Sequence, residues 1–209
     1  MSQNKAVAIT GDIIGSSTLN ATQKTLMNAT IDAFSTEQSA LWPDWQFQQY
    51  RGDSVQALLT NNRSQALRVA LLLQTKLIGN GIRLRAAVGV GEISFMGKDL
   101  ITSDGTALQL SGTWLDQIKK QKEEIAITGS QPAFAAEWQV HSVSLNYFLQ
   151  KITVPQAQAL YLHLQNKRQD EIANLLNISQ PSVHQRLQAA GAFIFTTIVA
   201  RFETSDALV

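Results

Sequence analysis

Two aspartates stand out by type and by setting. Asp12 closes the apolar run Ala6-Val7-Ala8-Ile9, just after Gly11, and Asp53 follows Gly52 between the runs "WQFQQY" and "SVQALL". A carboxylate at a strand end can form a turn and do nothing else. It can also ligate a metal. Both uses stay open for Asp12 and Asp53, and neighbouring Arg51 could pair with Asp53 and partly replace a metal.

A second group of polar residues lies near the C-terminus. Gln180, Ser182, His184, Gln185 and Arg186 follow Ser179 and are expected on the outward side of the helix it opens, and Lys167 and Arg168 stand just before the preceding apolar segment. Amides, hydroxyls and cations of this kind suit base edges and phosphates of DNA.

The elements that must position these groups are legible. The order is a strand over 5–11, an amphipathic helix carrying Leu26, Met27, Ile31, Phe34 and Leu41, two strands joined by Arg51-Gly52-Asp53, a second helix over 63–79, and a strand in "IRLRAAVGVGEI". Strand, helix, strand, strand, helix, strand is the split βαβ, ferredoxin-like order. The first crossover makes strands one and two parallel, and strand three returns between them. That geometry predicts Asp12 and Asp53 at one end of the sheet. A helix in "GTALQLSGTWLDQIKK" and a fifth strand in "EEIAIT" follow, while residues 130–152 read partly as helix and partly as strand or linker.

Residues 155–203 read as three helices. Counting from Gln169, Ile172, Ala173, Leu176, Ile178 and Val183 occupy the apolar positions of a helix-turn-helix, with Asn177 at the turn position that wants a left-handed backbone. Ser179 is placed to cap the third helix and Pro181 to sit in its first turn. That helix is predicted to run unbroken to residue 203. Its stripe of Leu187, Gly191, Ile194, Ile198 and Phe202 must be buried, against the N-terminal domain or, as the preferred reading, a second chain.

Composition bounds the rest. The 209 residues are 44% hydrophobic and 16% charged with net charge +1, which suits a core-forming protein and argues against a broadly basic nucleic-acid coat. The C-terminal part balances Lys151, Lys167, Arg168, Arg186 and Arg201 against Asp170, Glu171, Glu203 and Asp206. One copy would neutralise few phosphates, so a dimer is expected on DNA. The absence of cysteine excludes disulfides and fits a cytoplasmic setting. No signal peptide is expected, since the first apolar run is short and stops at an acid. The stretch 189–200 falls short of the ~20 apolar residues of a membrane span, so no membrane is expected as a partner. His141 and His163 fit no metal spacing, Trp42, Trp45, Trp114 and Trp138 read as core, and 119–124 reads as a solvated helix end.

Asp12-Ile13-Ile14-Gly15-Ser16-Ser17, Gly52-Asp53, "RAAVGVGEI" and "DGTALQL" together resemble the class III nucleotide cyclase fold. The resemblance implies that Asp12 and Asp53, with the carbonyl of Ile13, hold Mg or Mn. It also implies that Gly15, Ser16 and Ser17 cover nucleotide phosphates at a helix N-terminus. This chain has Gln49 where cyclases place the base-selecting lysine, and Gln109 and Thr113 where they place the asparagine and arginine of the last catalytic helix. Losing that arginine removes a charge that stabilises the transition state. The whole chain is similar to the SatD-like family, which joins a compact cyclase-like domain to a C-terminal helix-turn-helix. The expectation is therefore α+β: a ferredoxin-like, cyclase-like N-terminal domain over 1–150 that senses a ligand, a nucleotide being one candidate, or mediates dimerisation, and an all-α helix-turn-helix domain over 151–209. The implied function is sequence-specific, DNA-binding transcriptional regulation by a cytoplasmic homodimer on double-stranded DNA. The alternative is a metal-dependent nucleotide cyclase or phosphoryl-transfer enzyme.

Overall fold

The structure is a computed structural model and describes residues 4–42, 44–205 and 208. Five strands form one sheet: β1 (Lys5–Ile13), β2 (Gln46–Tyr50), β3 (Ser54–Leu59), β4 (Leu84–Glu92) and β5 (Ile125–Gly129), in the order β2-β3-β1-β4-β5. β1 lies antiparallel to both β3 and β4, β2 is antiparallel to β3, and β5 adds a parallel strand beside β4. The first four strands have the predicted order, with β3 returning between β1 and β2. β1 runs through Asp12 to Ile13, past the expected stop. Gly11 is there for close approach, since a Cβ would stand 2.7 Å from the carbonyl of Arg85 on β4.

The helices α1 (Ala21–Leu41), α2 (Ala66–Gly79), α3 (Thr106–Gln121) and α4 (Pro132–Leu149) cover the sheet. Alternation along β1 sends Val7 and Ile9 into the main core with α1 and α2, while Ala6 and Ala8 join a smaller cluster with Ala107 and Leu108 of α3. α3 sits close on β4 because Gly89 and Gly91 give it room: a Cβ on Gly89 would meet the carbonyl of Ala107 at 2.5 Å. Met27, Ile31 and Phe34 of α1 are buried as expected, but Leu26 and Leu41 face solvent.

Residues 132–149 form one helix, which corrects the mixed reading of that stretch. Its buried face carries polar residues, so apolar periodicity is blurred. Asn146 Oδ1 accepts from the backbone N–H groups of Glu124 and Ile125, and Ser142 Oγ accepts from that of Ile127. α4 thus covers an edge strand and satisfies its backbone donors.

The C-terminal helices are α5 (Val154–Leu164), α6 (Gln169–Leu176), α7 (Gln180–Ala189) and α8 (Ala192–Glu203). A separate all-α unit over 151–209 is not evident. Leu160, Leu164, Val183, Phe195 and Phe202 belong to the same buried cluster as Leu71 of α2 and Val88 of β4. The predicted unbroken third helix is two helices. Gly191 adopts φ +71 between them, and a Cβ there would lie 2.5 Å from the Phe148 ring. The apolar stripe is covered by this same chain, not by a second one. Phe202 packs edge-on against Trp138 at 5.0 Å and Phe195 against Phe148 at 6.3 Å.

Candidate functional site

The predicted meeting of the two aspartates occurs. Asp12 on β1 lies opposite Ser54 on β3, and the N–H of Ile13 donates to the carbonyl of Asp53 at 2.9 Å. The turn 51–53 reverses the chain with Arg51 and Gly52 both at positive φ. Asp53 then accepts from Ser16 Oγ at 2.5 Å and more weakly from Ser54 Oγ at 3.4 Å. Arg51 forms no ion pair with Asp53 among the described residues, so it does not stand in for part of a metal's charge there.

The cations at this edge come from elsewhere. Arg85 of β4 faces Asp12 across the register, with Nη1 at 3.4 Å from its carboxylate, and Lys119 of α3 reaches the same carboxylate at 3.2 Å. Lys119 therefore does more than end a solvated helix. Arg85 Nε is buried with no hydrogen-bond partner. Beside them, the half-buried Tyr50 hydroxyl is pushed up in pKa by burial; Ser54 and Arg51 pull it down, and the charges of Asp12 and Asp53 raise it further.

Gly15, Ser16 and Ser17 do not form the N-terminus of α1. Gly15 is left-handed at φ +69 and opens a short 3-10 turn, Ser16–Thr18, while Asn20 caps α1 by accepting from the N–H of Gln23. Ser16 is turned inward onto Asp53 and Ser17 is exposed. Gln49 donates to the Gly52 carbonyl at 2.9 Å and to Asn28 at 3.0 Å, which braces the turn. Gln109 donates to Asp104 at 3.0 Å, and Thr113 lies exposed on α3.

The donors at this edge fit a hard divalent cation. Two carboxylates, the Ile13 backbone and a serine hydroxyl are oxygen ligands of the type Mg and Mn prefer. Among the described residues there is no cluster of three or more His, Cys, Asp or Glu, so such an ion would rest on Asp12, Asp53 and ligand oxygens. Lys119 is 62% exposed in its side chain, and an ion pair that open is weak enough to be exchanged.

The second group of polar residues is also assembled. Asn177 takes φ 52 and ψ 49 at the end of α6, and the N–H of Ile178 returns to the carbonyl of Ala173 at 3.0 Å. Ser179 accepts from the N–H of Ser182 and its hydroxyl meets that of Ser182 at 2.8 Å, so Ser182 serves the cap. Ile172, Ala173 and Val183 are buried, Leu176 and Ile178 half-buried. Gln180, His184 and Gln185 are exposed and Arg186 is partly so. Arg168 is exposed and pairs with Asp170 at 3.0 Å. Lys167 is half-buried at the mouth of a cavity.

No family model matches the chain, and neither does any curated protein, so the SatD-like assignment has no match behind it. Solved structures do match. The neighbours are nucleotide cyclases. One is a bacterial light-regulated adenylyl cyclase, 14% identical over 67% of this chain and 81% of that one, with a TM-score of 0.45. Another is the monomeric guanylyl cyclase domain of a RhoGC fusion protein from Blastocladiella emersonii, 13% identical over 68% and 86%, TM-score 0.40. A third is the adenylyl cyclase CyaB from P. aeruginosa, 16% identical over 61% and 78%, TM-score 0.37. Identities this low assign no residue a role. Among the described residues, no helix is long and apolar enough to cross a membrane.

Proposed function

We propose that the Asp12 and Asp53 edge binds the phosphates of a nucleotide together with Mg or Mn, and that the chain holds this ligand without cyclising it. The observation that carries the reading is the convergence of Asp12 and Asp53 with Arg85 and Lys119 at one end of the sheet. Asp12 and Asp53 would hold the ion, whose charge neutralises phosphate oxygens. Lys119 and the unspent Nε of Arg85 are the chain's own donors for those oxygens. Turnover lacks support from the residues that would do it. Gln49 and Gln109 are engaged in bracing local structure, and neither they nor Thr113 carries a charge to offset one developing on phosphorus. The test is calorimetric titration of ATP and GTP with Mn. Binding that weakens at least about tenfold in Asp53→Asn, with no cyclic product, is the expected result. Binding indifferent to both Asp12→Asn and Asp53→Asn, or cyclic nucleotide made at a steady rate, would sink it. The latter would favour a metal-dependent cyclase.

A second reading, DNA-binding regulation, is favoured by the left-handed Asn177 between α6 and α7 and the exposed face of Gln180, His184 and Gln185. In this reading residues 1–150 form the sensing part and 151–209 the DNA-reading part, and two copies meet a two-fold site. Selection of bound fragments from random duplex DNA, with wild type and the Gln185→Ala/Arg186→Ala variant, tests it. An enriched two-fold motif that the variant loses supports it; no enrichment at low salt removes it.

A further inference from the structure

Unspent hydrogen-bonding groups gather in a cavity away from the Asp12 and Asp53 edge. A space of about 510 Å³ lies between α1, α2, the turn joining α5 to α6 and the end of α8. Gln38 lines it from α1 and is only 3% exposed, yet its side-chain amide makes no hydrogen bond among the described residues. The indole N–H of Trp42, on the same wall, is buried and equally without a partner. Buried polar groups in folded proteins are nearly always satisfied, so the Trp42 N–H needs an explanation, and beside it the Gln38 amide opens onto the cavity with no protein partner.

The charges around the cavity add a direction. Arg68 and Glu203 neutralise each other at 2.8 Å, and Arg68 also donates to the carbonyl of Leu164. Lys167 lines the cavity and has no ion pair among the described residues. Val69 and Leu72 of α2 supply an apolar wall. The space is in the range of small-molecule pockets, ~300 to 1,000 Å³, which combine apolar walls with a few polar groups.

We propose that this cavity binds a small planar aromatic acid that carries a second polar group. The ring lies against Val69 and Leu72, the carboxylate faces Lys167, and the second polar group pairs with the amide of Gln38. A hydroxyl can give its proton to Gln38 Oε1 and accept from Nε2, so it answers both halves of the amide.

The probes are 4-hydroxybenzoate and benzoate, which differ by that one hydroxyl. Calorimetry on the full chain should show 4-hydroxybenzoate bound about tenfold more tightly, because benzoate leaves Gln38 unpaired. Gln38→Leu should abolish the preference, since the group that answers the hydroxyl is gone. Gln38→Met makes the same test should leucine fit poorly. Lys167→Ala should weaken both probes about tenfold. Of the four tryptophan indole N–H resonances, that of Trp42 should move on titration. No saturable binding at millimolar probe overturns the proposal. So does a preference that survives both Gln38 variants, or a response confined to other indoles. Asp53→Asn should leave binding intact; loss there would place the probe at the nucleotide edge and overturn the proposal, whereas failure of the nucleotide reading leaves this result untouched.

Discussion

Single residues carry constraints that solution measurements can read. Asn177 holds a left-handed backbone, which Asn tolerates and other non-glycine side chains resist by ~1 to 2 kcal/mol. Asn177→Ala should therefore cost about 1 kcal/mol in chemical denaturation, and Asn177→Gly should cost next to nothing. Asp44 is a second case. Burial raises its pKa, but the backbone N–H groups of Asn61, Asn62 and Thr60 and the side chain of Asn62 outweigh that and hold it below the usual aspartate value. A carboxyl depressed in the folded state contributes stability that is present above its unfolded pKa and lost as pH falls through the folded one. Asp44→Asn should lower the melting temperature at neutral pH, and the gap to wild type should close on acidification below the normal aspartate range. A gap that stays constant down to strong acid would remove the charge from this account. The Asn177 turn and the Ser179 cap were legible in sequence because each is a local rule about one residue type. Arg85 was not. Its partner Asp12 is set by strand register, and Arg85 sits in a run whose other members simply alternate between buried faces. Lys119 escaped notice for a related reason, since a lysine near a helix end reads as solvated whatever strand lies beneath it.

Among the elements, the sheet was the easiest to anticipate and α4 and α8 the hardest. Period-two apolar runs punctuated by Gly and Asp mark strands directly. α4 hides because it spends Ser142 and Asn146 on the edge of β5 and leaves Val140, Val143 and Tyr147 in solvent. α8 misleads differently. A broad apolar stripe says that a helix is buried and says nothing of what covers it. Here the cover is α4, with Phe202 edge-on to Trp138 and near Phe134. Phe202→Ala should cost ~3 to 5 kcal/mol of unfolding free energy, the usual loss for a fully buried aromatic. That loss should be independent of protein concentration. A cost that vanishes on dilution would return the stripe to a second chain.

At the scale of the molecule, the core crosses the line between the sheet and the C-terminal helices. α5 lies on α2, where Gln158 donates to the carbonyl of Gly79 at 3.0 Å, and Arg68 ties α2 to Glu203 at the end of α8. Calorimetric unfolding should therefore give one cooperative transition. A fragment ending at residue 150 uncovers the face of α2 on which α5 packs and should aggregate or unfold. A fragment that melts like the intact chain would show that the helices are an appendage. This continuity is invisible in sequence because the contacts join residues far apart in the chain, and the boundary segment 150–153 looks like any short connector.

The seating of α5 on α2 also bears on the DNA reading. A reader hung on a slack tether can reach half-sites at several separations, because the tether takes up the difference. α7 has no slack: it is joined through α5 to a helix that packs on the sheet. Two copies related by a two-fold axis would work as callipers with a locked opening. Inserting roughly five base pairs between the halves of a selected site turns one half to the opposite side of the duplex, and a locked pair has no means of following it.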